Sequence, residues 1–173
     1  VIQLVAIGEG VQTALLDELS ARLARQFRES VHVRPQPIDP SFAYDPVRNQ
    51  YHATAILRQL NGSANGERLL GVTGVDLYVP IFTFVFGEAQ LAGHCALTSI
   101  HRLREDYYGL PTDRELTASR LLKTALHELG HTYGLRHCTD WSCPMASSTA
   151  VDRIDLKNDE YCLRCWKAIH QLI

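Results

Sequence analysis

Between His127 and His137 the chain reads HELGHTYGLRH, and few backbones can use all of it. His127 and His131 are four residues apart, so a helix presents both on one face. Glu128 lies between them and projects to a neighbouring position. His137 follows His131 by six residues; in an unbroken helix it would sit ~9 Å further along the axis. Zinc–imidazole bonds are only about 2.0–2.1 Å long, so three rings serving one ion must converge within a few ångströms. The helix must therefore end between His131 and His137. Gly134 is where it can end, because glycine tolerates the left-handed conformation of a helix C-cap. The chain then doubles back and delivers His137 to the open side of the ion. Three neutral imidazoles leave a fourth position for water, which marks a catalytic zinc. Such an ion lowers the pKa of its water to roughly 7, and Glu128 is placed to take that proton and pass it to a leaving amine. A helix carrying histidines without a metal is the competing reading of H-E-x-x-H, and Gly134 with His137 weighs against it.

The five cysteines are Cys95, Cys138, Cys143, Cys162 and Cys165. An odd count argues against a closed disulfide framework. Four of them fall late, as C-x4-C and C-x2-C, and four thiolates from two short segments form a closed structural zinc site. That site would pin a final helix to the loop carrying Met145. Paired disulfides, free buried thiols and a redox C-x-x-C compete with it. Nothing marks the chain as secreted, and the thioredoxin-like context is missing. Asn158 or Asp159 is expected to cap the final helix, with Cys162 and Cys165 on one face and Trp166, Ile169 and Leu172 extending it as an apolar stripe. Cys95, beside Ala96 and Leu97, reads as a lone core cysteine in a strand.

A chain of 173 residues is the size of one domain, and 46% hydrophobic residues suffice for a proper core. The formal charge is −2 with scattered basic residues, which gives no footprint for nucleic acid. No apolar run approaches the ~20 residues of a membrane span. Val1 to Ile7 leads straight into a polar segment, so no signal peptide is visible. The expectation is a cytoplasmic monomer.

Along the chain, VIQLVAIG reads as a buried strand. Val11, Leu15, Leu19, Leu23 and Phe27 recur at helical spacing, predicting a helix over 11–28. SVHVRP reads as a strand ending at Pro35, and four prolines over 35–46 as an irregular loop. RNQYHATAILRQL reads as a second helix with Tyr51, Ile56 and Leu60 near one face, ended by NGSANG. RLLGVTGVDLYV reads as one strand running to Pro80. IFTFVFGEAQLAGHCALTSIHRL reads as two strands joined across Gly87 to Gly93. From Arg114 a long helix carries the histidine motif. This β-α-β-α-β order predicts an α/β (α+β) chain: a mixed sheet with packed helices, then a mostly helical C-terminal part.

With Met145 downstream, HELGHTYGLRH matches the metzincin pattern, the Met lying beneath the histidines as an apolar floor. The interlocked H-E-x-x-H-x-x-G-x-x-H-C-x4-C-x-M…C-x2-C arrangement resembles the archaemetzincins. YDPVRNQY, GVDLYVP and FVFGEAQ extend the likeness upstream, and the Met145-to-Cys162 gap is one residue shorter than the family pattern. The resemblance implies a metzincin-like zincin fold: a twisted, mostly parallel sheet, an active-site helix and a cleft along an edge strand. It implies one domain, with 1–134 ending in the active-site helix and 135–173 carrying the four-cysteine site. It also implies two Zn2+ per chain: a catalytic ion on His127, His131 and His137, and a structural one on Cys138, Cys143, Cys162 and Cys165. Glu128 would be the base. Members are treated as peptidases, with aminopeptidase-like activity suggested.

The expected activity is therefore zinc-dependent hydrolysis of peptides or small proteins. A non-catalytic two-zinc peptide-binding module and a zinc hydrolase of a non-peptide amide are the alternatives. Gly93 to Leu97, around His94, are expected to edge the cleft and pair with substrate backbone; an ordinary sheet strand is the plainer reading. His32, His52, His101 and His170 are expected to face solvent. Tyr107 and Tyr108 are expected to pack or snorkel, with lining a pocket as the alternative.

Overall fold

The computed structural model describes residues 1–171; Leu172, assigned above to the apolar stripe, lies outside them. Strand β1 (Ile2–Ile7) enters helix α1 (Thr13–Phe27), whose buried Leu15, Leu19, Leu23 and Phe27 form the predicted face, joined by Leu16, while Val11 precedes the helix. After β2 (Val31–Val33) come two short strands, β3 (Tyr44–Asp45) and β4 (Gln50–His52), and helix α2 (Ala53–Ser63). Strands β5 (Arg68–Thr73), β6 (Leu77–Tyr78), β7 (Gly87–Ala89) and β8 (Cys95–Ser99) precede the long helix α3 (Arg114–Thr132). Helices α4 (Val151–Asp155) and α5 (Leu163–His170) complete the chain.

The main sheet runs β2-β1-β5-β8-β7, parallel throughout except for the antiparallel β7. Side chains alternate across it, as the pleat requires. Ile2, Leu4, Leu70, Val72 and Ala96 face α1 and α3, while Val5, Ile7, Leu69, Cys95 and Leu97 face α2. The fold is thus three layers, with the sheet buried on both sides, as parallel strands demand. No helix among the described residues is long and apolar enough to cross a membrane.

The predicted α/β class with a mixed, mostly parallel sheet holds, and several local expectations are corrected. Tyr51 stands in a strand paired with Leu77, so the second helix starts at Ala53, not at Arg48 where its sequence pattern opens, after Gln50 has bonded Asp76 and the Thr83 carbonyl. Tyr51 and Ile56 are five apart, which is off the helical period. The same helix runs through Asn61 and Gly62 and ends inside NGSANG, at Ser63. The expected single strand to Pro80 is two strands in different sheets, split at Gly74. The stretch Ile81–Phe86 is not a strand; the first strand of that region is Gly87–Ala89, where a connection was expected. Helix covers only Val151–Asp155 and Leu163–His170 of the C-terminal part, which is mostly loop. Two tightly held segments there need fixed loop geometry more than helical hydrogen bonding.

Candidate metal centre

The histidines ride on the end of α3, so the helix must be held at both ends. Asp113 caps its start, its side chain accepting from the Leu116 N–H at 2.9 Å. Arg120, buried, binds Asp155 of α4 through two parallel 2.7 Å bonds and also Glu105 and the Leu103 carbonyl. These ionic hydrogen bonds raise the Arg120 pKa further, so its charge is permanent. Farther along, the buried Tyr161 hydroxyl donates to the Leu126 carbonyl at 2.6 Å.

The helix stops where the motif requires. Gly134 sits at φ +85°, in the left-handed region. Its N–H bonds the His131 carbonyl at 2.9 Å, and the Leu135 N–H reaches back to the Gly130 carbonyl at 3.0 Å. That pair of bonds is a Schellman motif. Reversal brings His137 beside the other two rings: centroids lie 4.7 Å apart for His127–His131 and 5.2 Å for both pairs involving His137. One nitrogen from each ring falls within 4.8 Å of the others.

Hydrogen bonding fixes which nitrogens converge. His127 Nδ1 lies 2.8 Å from the Pro144 carbonyl and His131 Nδ1 lies 2.7 Å from that of Leu135. A carbonyl only accepts, so each Nδ1 carries a proton and each neutral ring presents an Nε2 lone pair. Burial holds both rings neutral; with help from the Lys157 charge it depresses His127 to about 3. The two Nε2 atoms stand 3.2 Å apart, close to the ~3.3 Å edge of a tetrahedron with 2.0–2.1 Å bonds. Two lone pairs aimed together at that spacing suit a shared cation. Beneath them Met145 is fully buried, and a Cβ on Gly130 would collide with its Sδ, so the glycine admits this floor.

The cysteine cluster adjoins this site. Sγ atoms of Cys138, Cys143, Cys162 and Cys165 all lie within 4.8 Å of one another, and every cysteine is free. Cys138 and Cys162 sulfurs are 3.9 Å apart, near the ~3.8 Å edge of a tetrahedron with 2.3 Å zinc–thiolate bonds. Burial pushes the thiols of Cys143 and Cys165 up. It also opposes ionisation of Cys138, but the Asp140 backbone and Arg164, 3.1 Å from its sulfur, outweigh it and lower that pKa. The donor set fits a structural zinc.

The sequence model described as Peptidase family M54 matches residues 36–171. The chain belongs to that family. Archaemetzincin from Methanocaldococcus jannaschii is 40% identical over 156 residues, covering 88% of this chain and 86% of that one. A zinc-dependent peptidase from Methanocorpusculum labreanum superposes with TM-score 0.90 at 30% identity, over 97% and 99% of the two chains. The archaemetzincin of Archaeoglobus fulgidus, solved in complex with malonate, gives 0.84 at 36% identity over 96% and 98%. Membership places the chain among the zinc metallopeptidases, as the resemblance implied, with a fold matching theirs.

In this M54 chain the histidines open onto a cavity of about 460 Å3 walled by Phe84, Phe86, Glu88 and Ile154. Glu128 lines it too; burial, reinforced by the charge of Glu88, raises its carboxyl to about 8. Gly87 packs on Glu128: a Cβ there would stand 2.7 Å from Glu128 Cγ and 2.8 Å from Oε1, and would strike the Leu97 carbonyl. Only a bare backbone lets the edge strand lie this close to the carboxyl.

Not every expected residue reaches the site. Gly93 to Leu97 do not edge the cleft, because β8 is paired on both sides, by β5 and β7, and its backbone groups are consumed. The edge strand is β7, and His94 is exposed. Of the four histidines expected in solvent only His32 is exposed. His52 stacks on Tyr78, His170 on Trp166, and His101 Nδ1 contacts the Gly74 carbonyl. Neither Asn158 nor Asp159 caps α5, whose N-cap is Cys162 without a side-chain bond; Asp159 instead pairs with Arg22 at 3.0 Å. Tyr107 and Tyr108 pack edge-to-face. Sequence reasoning missed Gly87, Pro144 and Lys157. A glycine in strand context signals close approach and could have flagged the first; a backbone carbonyl and a lysine in DLKNDE carry no such signal.

Proposed function

We propose that His127, His131 and His137 hold a catalytic zinc, that the four late cysteines hold a structural one, and that the chain hydrolyses peptide bonds with Glu128 as base and then acid. The observation that carries this reading is the convergence of two Nε2 lone pairs at 3.2 Å, each ring locked by a carbonyl on its other nitrogen, beside a buried carboxyl. Zinc bound there supplies Lewis-acid chemistry, polarising a scissile carbonyl and acidifying water. Glu128 is then drawn to its carboxylate form by the nearby cation and accepts the proton of the attacking water. The same carboxyl hands that proton to the leaving amine. Phe84, Phe86 and Ile154 give the cleft apolar walls, and the free edge of β7 offers backbone groups for an extended peptide.

Glu128→Gln in the zinc-loaded chain tests the role. Elemental analysis should still find two zinc per chain, while hydrolysis of a broad peptide library falls by 10²–10⁴-fold, roughly the worth of a general acid–base group. Retained turnover rejects Glu128, and absence of zinc from the imidazoles in the parent rejects the metallopeptidase reading.

A further inference from the structure

Lys157 lies two residues beyond α4 and is only 6% exposed. Its ammonium donates to the Pro144 carbonyl at 3.0 Å and to the Ala146 carbonyl, so it grips the chain on both sides of Met145. The Pro144 oxygen is the same atom that accepts from His127 Nδ1–H at 2.8 Å. Next door, the Asn158 N–H bonds the Ser142 carbonyl at 2.7 Å and completes a staple between 157–158 and 142–146. Among the described residues no carboxylate forms an ion pair with Lys157. Burying an ammonium outside any close ion pair is costly, and a neutral donor could serve loop carbonyls more cheaply. The ammonium stands instead on the oxygen that aims a ring of the triad. A partner that orients a ligand's second nitrogen tunes metal affinity by about 10–100-fold.

We infer that Lys157 is a positioning residue for the histidine site: it fixes the Pro144 oxygen, which sets the tautomer and direction of His127, and it holds Met145 under the rings. The inference rests on the triad binding zinc. It assigns Lys157 to the imidazole site in particular, not to general stability of the C-terminal loop. The distinction is measurable because the cysteine cluster, a few residues away, reports independently.

The experiment loads the full chain with zinc, or with cobalt(II), and titrates it with a chelator. Parent, Lys157→Met, Lys157→Gln and Lys157→Arg are compared. In the two neutral variants the imidazole site should release metal with 10–100-fold weaker affinity, the range for outer-shell partners. The cobalt–thiolate charge-transfer absorption should persist while the ligand-field bands of the nitrogen site shift. Lys157→Arg, which keeps charge and donors, should recover part of the affinity. Imidazole-site affinity within twofold of the parent in either neutral variant overturns the inference. So does parallel loss of metal from both sites, including loss through unfolding, because a merely structural lysine would act that way. A parent that leaves the imidazoles without zinc refutes the proposed function instead, so the two failures are told apart.

Discussion

Gly87 shows how one absent side chain can shape a reactive group. A methyl added there meets Glu128 and the Leu97 carbonyl, neither of which can retreat without breaking the β7–β8 pairing or turning the carboxyl. Gly87→Ala should cost about 1–3 kcal/mol, the usual range for overpacking. Thermal melts read that loss, and kinetics should show kcat falling more than KM rises. Charge at Glu128 and His127 also sets how the metal-free protein responds to pH. Burial holds His127 at about 3 against an ordinary 6.5, so between those values the unfolded chain carries a proton the folded one lacks, and stability rises with pH. Burial raises Glu128 from 4.5 to about 8, so there the folded chain carries the extra proton and stability falls as pH rises. Those two slopes cancel where they overlap, and His131, which burial also holds below its ordinary value, leaves a net rise toward 6.5. Metal-free protein should therefore be most stable near pH 6.5. Zinc favours neutral imidazoles and the Glu128 carboxylate, so loading should move the maximum to higher pH. Melting temperature measured against pH, with and without zinc, checks this; identical profiles would contradict it.

At the scale of elements, the decisive event is the end of α3. Gly134 has room for a side chain, the nearest atom to a built Cβ being 3.8 Å away, so its requirement is conformational and not steric. Gly134→Ala should cost roughly 1–2 kcal/mol for a left-handed L-residue. It should also weaken zinc at the triad, because the Leu135 carbonyl that holds His131 and the path to His137 both follow that turn. Denaturant titration and chelator competition measure the two effects, and a stability loss without any change in zinc affinity would disprove the second. This element was legible beforehand because its spacing obeys a geometric demand. Less was legible where the apolar pattern is short. QYH reads as part of a helix, and its pairing with Leu77 and Tyr78, distant in sequence, made it a strand instead. GEA, lying between two stronger apolar runs, became a strand because β8 offered it an open edge.

For the whole molecule, the two clusters share a backbone. Cys138 follows His137 directly, and Cys143 precedes the Pro144 whose oxygen aims His127. The Cys138 N–H closes the loop on the Met145 carbonyl at 2.9 Å. Opening the cysteine cluster should therefore loosen the histidines. Cys165→Ser should lower the melting temperature by roughly 20 °C or more, since a structural zinc contributes on the order of 10 kcal/mol and each kcal/mol shifts a chain this long by about 2–4 °C. Its imidazole site should lose zinc at lower chelator concentration than the parent; unchanged affinity there would show the clusters to be independent. Sequence alone determined the residue types, the helical spacing of His127 and His131, the stop at Gly134 and the grouping of four thiols. Those features are local, and helix period, left-handed glycine and ligand bond length constrain them within a few residues. Tertiary structure alone decided that β7 and not Cys95–Ser99 is the edge, that Gly87 leaves space for Glu128, and that Lys157 meets the Pro144 oxygen. Each of those joins segments far apart in the chain through strand order or a backbone carbonyl, and neither is written in any residue's identity.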